Sequence, residues 1–361
     1  MKTSIIPIFI PHIGCPHRCV FCNQWQITGH HGLPTRDAIR ELIGSYTASA
    51  GEGRHWEVAF YGGSFTAIPM PLQQELLQPA YEALKAGVIQ GIRCSTRPDC
   101  ITEAIVTNLK AYGLTCVELG VQSMDDRVLQ QAQRGHTAGD VIKATALLRQ
   151  YGFTVGHQLM PGLPGEDWDS LCRTTKAIGN LRPDLARIYP VAVLQGTELA
   201  AMYEDGSYKP LTIAEGVRRA AYMKQHFLER GIRCIRTGLQ ATEDLDDSSQ
   251  VLAGAYTPAM GELVDTYRYR RQLLSFLRTL PGDEAVTISY DRRETSRVRG
   301  YRSLTVKTAR WSIPLTLSWR EGDVPLGHVY VFQGQTSYDL DMNSQASPTT
   351  VSYTHLTLPT I

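Results

Sequence analysis

The segment Gly14–Gln24 reads GCPHRCVFCNQ. Its cysteines, Cys15, Cys19 and Cys22, follow the spacing Cys-x3-Cys-x2-Cys. Thiolates placed this way can reach three corners of one small metal cluster. Iron–sulfur cubes are held by thiolates, usually four of them. Three local ligands leave one iron open to a group that is not protein. Phe21 sets an aromatic ring beside Cys22, and Pro16 favours a looping chain over a helix through the ligands. On spacing alone other readings stay open. A structural zinc site needs four ligands, and His12 or His17 could supply the fourth. Cys19 and Cys22 could form a redox pair. A lipid-anchored Cys15 behind a leader is disfavoured. The apolar run Ile5–Ile10 is short, it is interrupted by Pro7 and closed by Pro11, and only Lys2 precedes it.

Strand-type runs and helical patterns alternate beyond this loop. Strands are expected at Ser4–Ile10, Glu57–Tyr61, Ile89–Cys94, Thr115–Gly120, Thr154–Leu159 and Leu185–Pro190, with a further short one at Gly231–Ile235. Helices are expected at Arg36–Ala48 (N-capped by Thr35), Leu72–Ala86, Glu103–Tyr112, Ala138–Tyr151, Asp167–Ile178 and Ile213–Glu229. Such alternation implies parallel pairing through βαβ crossovers. The expected fold is α/β: an incomplete (β/α)6-type TIM-like barrel over residues 1–240. Cys15–Cys22, Gly62-Gly63, Ser95–Arg97, Gln122-Ser123 and Met160–Gly165 all follow strands. In a parallel barrel they share one rim, where such folds carry their chemistry.

After Gly238 the texture changes. Residues 243–247 are acidic and read as a turn. Between Arg268 and Arg310 there are 11 Lys/Arg against four Asp/Glu. Runs at Ala285–Ser289, Leu304–Lys307, Leu315–Trp319 and His328–Phe332 read as strands of a small C-terminal α+β domain over 241–343. Residues 344–361 are rich in Ser, Thr and Pro. Their end, VSYTHLTLPTI, resembles a translated sequencing-adaptor fragment, so this stretch is expected to be a disordered or artefactual tail.

The 361-residue chain has room for a large core. Its hydrophobic content of 43% and charged content of 20% are those of an ordinary globular chain. A net charge of +1 supplies no global field for nucleic acid or membrane. No run approaches a membrane span. The absence of a secretory leader makes the cytoplasm the expected compartment. Of eight cysteines, Cys94, Cys100, Cys116, Cys172 and Cys234 lie outside the motif without paired spacing. They read as core residues or ordinary thiols.

The cysteine motif with Phe21 resembles that of the radical S-adenosylmethionine (SAM) superfamily. The stretch Pro7–Gln24, GGSFTA at Gly62–Ala67, STRPD at Ser95–Asp99, VELGVQS at Val117–Ser123, RGHT at Arg134–Thr137 and MPGLPGE at Met160–Glu166 narrow the resemblance. Together they are similar to the branch of the Elongator catalytic subunit and the oxygen-independent coproporphyrinogen oxidases, in particular to stand-alone bacterial members without an acetyltransferase domain. The likeness covers residues 3 to 265. Each motif is weak alone; their joint order is specific.

This resemblance implies a [4Fe–4S] cluster on Cys15, Cys19 and Cys22. It implies SAM as cofactor, cleaved to methionine and a 5′-deoxyadenosyl radical that abstracts hydrogen from a substrate. Gly62 and Gly63 would let backbone approach the amino group of SAM; Ser64 departs from the Glu or Thr often found there. Ser95 stands where relatives often place an acid, and a hydroxyl supplies no charge. Arg97 could compensate or bridge to Asp99. Gln122 would bond ribose hydroxyls, Arg134 would pair with a carboxylate, and Gln158 would face the adenosine edge. His17 would orient the cluster loop. Tyr61 and Tyr189 could line the pocket or belong to the core. His12, His30, His31 and His136 carry no assigned role, and no catalytic residue is assigned.

The leading expectation is therefore a radical SAM enzyme supplied with electrons by a reductant such as flavodoxin or ferredoxin. Its substrate is unidentified; a tRNA base is one candidate, met by the basic stretch that contains Arg292, Arg293, Arg297 and Arg299. The alternative is a non-catalytic iron–sulfur or haem-handling protein of the coproporphyrinogen oxidase-like type.

Overall fold

The computed structural model describes residues 3–10, 15, 17–23, 32–48, 54–239, 250–282, 284–344 and 349–350. His12, His30, His31 and the acidic turn at 243–247 lie outside the described residues. Packing divides the chain into two units, Met1–Gly216 with Arg230–Pro258, and Val217–Glu229 with Ala259–Ile361.

The first unit is built on a seven-stranded sheet. Its strands are β1 (Thr3–Ile10), β2 (His55–Gly62), β3 (Gly91–Thr96), β4 (Cys116–Gln122), β5 (Thr154–Leu159), β6 (Leu185–Ile188) and β8 (Arg233–Thr237). They lie side by side in that order, and every neighbouring pair is parallel. Between them run α1 (Arg36–Ala48), α2 (Met70–Lys85), α3 (Glu103–Ala111), α4 (Asp126–Gln131), α5 (Ala138–Gln150), α6 (Trp168–Leu181) and α7 (Glu198–Glu204); α8 (Ile213–Leu228) precedes β8 in the chain and from Val217 on belongs to the second unit. The expected αβ alternation is realised, and the seventh strand completes an open half-barrel. β1 is an edge strand, which is why it tolerates Pro7: proline cannot donate into a two-sided ladder.

Helix starts follow local chemistry. Thr137 and Asp140 form a capping box on α5, and Asp167 and Ser170 form one on α6. The sheet curls strongly. Arg187 on β6 reaches Tyr61 on β2 with Nη2–Oη 2.9 Å. Four strand spacings separate these strands, roughly 19 Å on a flat sheet. Only a concave sheet brings such side chains together. A two-stranded antiparallel ribbon, β7 (Ala192–Leu194) with β9 (Val251–Gly254), completes the unit.

The second unit holds α9 (Met260–Leu277), α10 (Thr295–Arg299), α11 (Leu304–Ser312) and a five-stranded sheet. Its strands are β10 (Val286–Tyr290), β11 (Leu317–Glu321), β12 (His328–Gln333), β13 (Thr336–Asp341) and β14 (Thr349–Thr350), in the order β11-β10-β12-β13-β14. Leu273, Leu277, Ile288, Val329 and Val331 form its core.

Three expectations are corrected here. Leu304–Lys307 is not a strand but the first turn of α11, whose Thr305 and Ala309 turn inward at helical spacing. Thr349 and Thr350, within the expected tail, pair with Asp339 and Tyr338. The open edge of β13 offers unmet backbone groups, and threonine suits a strand. The unit boundary also differs from a cut at residue 240. β9 stays with the half-barrel through its pairing with β7, whereas Val217–Glu229 joins the second unit. Lys224 pairs there with Asp265 at 2.7 Å, and Arg268 donates to Gln225 at 3.0 Å.

Candidate active site at the rim of the half-barrel

The cysteine loop leaves the end of β1 and is stapled to segments far away in sequence. Val20 N donates to Ala132 O at 3.2 Å, and Leu199 N donates to Val20 O at 2.7 Å. Val20 and Phe21 pack with Val128, Ala132, Leu163 and Leu199. The His17 ring lies where a Cβ on Gly135 would stand, at 2.3 Å. Gly135 (φ +79) therefore has to be glycine for the loop to close on the RGHT segment. Cys19 is buried, while Cys15 and Cys22 are half-buried. No disulfide joins the described cysteines.

Two guanidinium groups bear on these thiols. Arg134 donates through Nη1 to Cys19 Sγ at 3.3 Å and through Nη2 to Gly120 O at 2.8 Å. Arg97 grips Asp99 with two hydrogen bonds, 3.0 and 2.9 Å, and donates to Arg134 O at 2.6 Å. Burial pushes the Cys15 thiol up, and Arg97 and Arg134 pull it back towards the thiolate.

The other predicted residues occupy the same rim. Gly62 (φ +108) brings β2 so close to β1 that a Cβ would sit 2.2 Å from Ile10 O. Gly63 N donates to that same carbonyl at 2.9 Å. Gln122 ends β4 at a register shift with φ 66, a backbone region side chains rarely adopt. The bulge turns its amide to within 2.9 Å of the space above Gly120, beside Arg134 Nη2. Ser64 is buried in a hydroxyl cluster centred on Thr96, with Oγ–Oγ1 at 2.9 Å. Ser95 points to the opposite side of β3, the concave one, in register with Glu118. Gln158 is in register with Arg187 on that concave side. His136 is buried, with Nε2 at 3.1 Å from Val121 O. Burial and the nearby arginines hold its pKa down at about 4, so it is neutral.

Four buried polar atoms of the described residues around this rim have no hydrogen-bond partner: Arg97 Nη1, Gln122 Oε1, Arg134 Nε and His136 Nδ1. Buried groups are ordinarily satisfied, so unmet atoms converging beside thiols are what a ligand site requires. Among the described residues, no three His, Cys, Asp or Glu side chains close on a single metal ion. A cube spreads its thiolate ligands over separate irons, so its donors stand apart. The residues present fit a thiolate-held cluster with a polar cofactor beside it.

Sequence reasoning missed the wall of the concave face. Glu118 accepts from Arg187 Nη2 at 3.1 Å and Arg93 Nη1 at 3.3 Å, and pairs closely with Arg187 Nε. Arg93 pairs in turn with Glu57. Tyr61 and Tyr189 close the network through Arg187, which donates to Tyr189 Oη at 3.2 Å and lies over the Tyr61 ring at 5.5 Å. Burial, then the Glu118 charge, pushes the Tyr61 phenol well above its ordinary range. The signal was present: Arg93, Glu118 and Arg187 are each the single charged residue of their strand.

The sequence model of the radical SAM superfamily matches residues 9–178, and that of the radical SAM C-terminal domain matches residues 183–270. A tRNA uridine(34) acetyltransferase of Methanocaldococcus jannaschii is 32% identical over 235 residues, covering 59% of this chain and 42% of that protein. The Methanocaldococcus infernus protein of the same name is 30% identical over 318 residues, covering 75% and 57%. The chain thus spans about half the length of these curated relatives. Among solved structures, Methanocaldococcus infernus Elp3 with an N-terminal deletion superposes with a TM-score of 0.60 at 20% identity, covering 93% of this chain and 77% of that one. That likeness speaks for the fold.

Proposed function

We propose, for a chain that belongs to the radical S-adenosylmethionine superfamily, that the rim of its half-barrel is where radical chemistry starts on a tRNA base. As a member it is an enzyme with a [4Fe–4S] cluster and SAM as cofactors. Cys15, Cys19 and Cys22 would hold the cluster. When bound, the pair supplies the electron and the cleavable sulfonium that yield methionine and a 5′-deoxyadenosyl radical. The chain's own part is position and exclusion. The Gly62-Gly63 backbone would take the amino group of SAM, and Gln122 Oε1 would accept from a ribose hydroxyl. Arg134 and Arg97 would offset thiolate and carboxylate charge. Phe21, packed with Val20 and Leu163, would keep water from the thiols. The concave wall pairs its arginines with carboxylates, so it offers hydrogen bonds without net charge. A neutral, planar base edge suits such a wall.

The observation that carries this reading is the ring of unmet polar atoms on Arg97, Gln122 and Arg134 beside the thiols. The tRNA base rests on the names of the relatives and on a basic second unit. A reductant such as flavodoxin or ferredoxin would serve the cluster. The test is anaerobic reconstitution with iron, sulfide, SAM and a chemical reductant. 5′-Deoxyadenosine should form, and deuterium from labelled tRNA should appear in it. Cleavage without label transfer from tRNA would retain the enzyme class and remove the tRNA base.

A further inference from the structure

We propose that the outer face of α11, with Tyr301 beside it, is a stacking platform for an unpaired stretch of RNA. A surface helix normally turns its apolar stripe inward. Here Thr305 and Ala309 face the core, while Trp311 is 90% exposed, Leu304 46% and Tyr301 62%. At 100° per residue, Leu304, Lys307 and Trp311 fall within one 60° arc of the helix, and Arg310 stands 60° further round. Tyr301 carries the Arg302 guanidinium over its ring at 5.2 Å. Arg302 (φ 51) and Ser303 (φ 57) are both left-handed, a costly conformation for two consecutive non-glycine residues. The knuckle they make presents Tyr301 and Arg302 at the N-terminal end of the same helix.

Charge selects the occupant. Between Glu294 and Glu321 there is no acidic residue, while Arg299, Arg302, Lys307, Arg310 and Arg320 are cationic; Arg297 is already paired with Glu294 at 3.0 Å. Two copies of such a face would repel each other, which argues against self-association through it. A polyanion would be drawn in. Aromatic faces interleaved with cations are how single strands are held: bases stack on the rings and phosphates meet the charges. These residues all lie within the second unit. The choice of RNA over other single strands rests on the tRNA reading above.

The test uses the full-length reconstituted protein and two RNAs of equal length, a hairpin with an unpaired loop and a blunt duplex. Affinity is followed by fluorescence anisotropy, and stacking by quenching of tryptophan emission. The hairpin should bind more tightly than the duplex and quench the emission. Trp311→Ala should lose about tenfold in hairpin affinity with an unchanged salt slope, the size of one lost base stack. Trp311→Phe should restore most of it. The double variant Lys307→Gln, Arg310→Gln should flatten the salt slope by about two phosphates' worth while keeping the quench. Equal binding of both RNAs, indifferent to Trp311, overturns the platform and leaves the tRNA reading standing. A change in oligomeric state of Trp311→Ala without RNA also overturns it, because the face is then a protein interface. Trp311-dependent hairpin binding with no label transfer from RNA keeps the platform and removes the tRNA base.

Discussion

Arg134 Nη1 lies 3.3 Å from Cys19 Sγ although 115 residues separate them in the chain. The contact exists because Arg134 follows β4 and Cys19 follows β1, and parallel strands deliver both to one rim. It makes Arg134 both a neighbour of the thiols and, through its unmet Nε, a donor left for a ligand.

Arg134→Ala should therefore weaken SAM binding by about 1–3 kcal/mol, the value of a lost charged hydrogen bond. Iron content should be retained. Equilibrium binding under anaerobic conditions measures the first and iron analysis the second. Unchanged affinity would take Arg134 out of the cofactor site.

The cysteines should separate by role. Replacing Cys15, Cys19 and Cys22 together by alanine should abolish iron loading. Replacing Cys94 should leave loading intact, because that thiol is fully buried in the sheet and burial pushes its pKa far up. Iron retained by the triple variant would mean that other thiols hold the metal.

The concave wall should be fragile to the loss of one charge. Glu118→Gln leaves Arg93 and Arg187 facing each other without their shared carboxylate. Breaking a buried ionic group this way costs about 3–5 kcal/mol. Denaturant melts of the variant should show it. A loss below ~1 kcal/mol would mean that water reaches the network and that the wall is less enclosed than its burial implies.

Acid should destabilise the half-barrel through His157. This ring is fully buried, with Nε2 at 3.0 Å from Thr145 Oγ1, and burial holds its pKa down at about 3. The unfolded chain takes up that proton near 6.5. Stability from this group is thus complete above pH 6.5 and declines as pH falls towards 3. His157→Gln should lower stability at neutral pH and flatten the decline. A thermal-melt series over that range decides it; identical slopes in both proteins would assign the acid loss to other groups.

Much of the fold was readable because its signals are local. Apolar runs closed by glycine or proline placed the seven strands of the parallel sheet, and Thr35 placed the start of α1. Leu304–Lys307 looks like a strand in sequence because four alternating residues fit both periods. Only Thr305 and Ala309 turning inward together reveal the helix.

The chain order by itself puts Cys15, Gly62, Arg97, Gln122 and Arg134 at one end of the sheet, since each ends or follows a parallel strand. It could not determine what faces the inside of the curl. Whether Arg93, Glu118 and Arg187 cancel one another, and whether Tyr61 belongs to them, depends on the curvature of the sheet. Curvature brings together side chains that flat strands would hold roughly 19 Å apart. Likewise Trp311 is only a residue of a helical segment until the packing of Thr305 and Ala309 turns it outward. Local spacing chooses the elements; the closing of the sheet and the docking of each helix choose the neighbours.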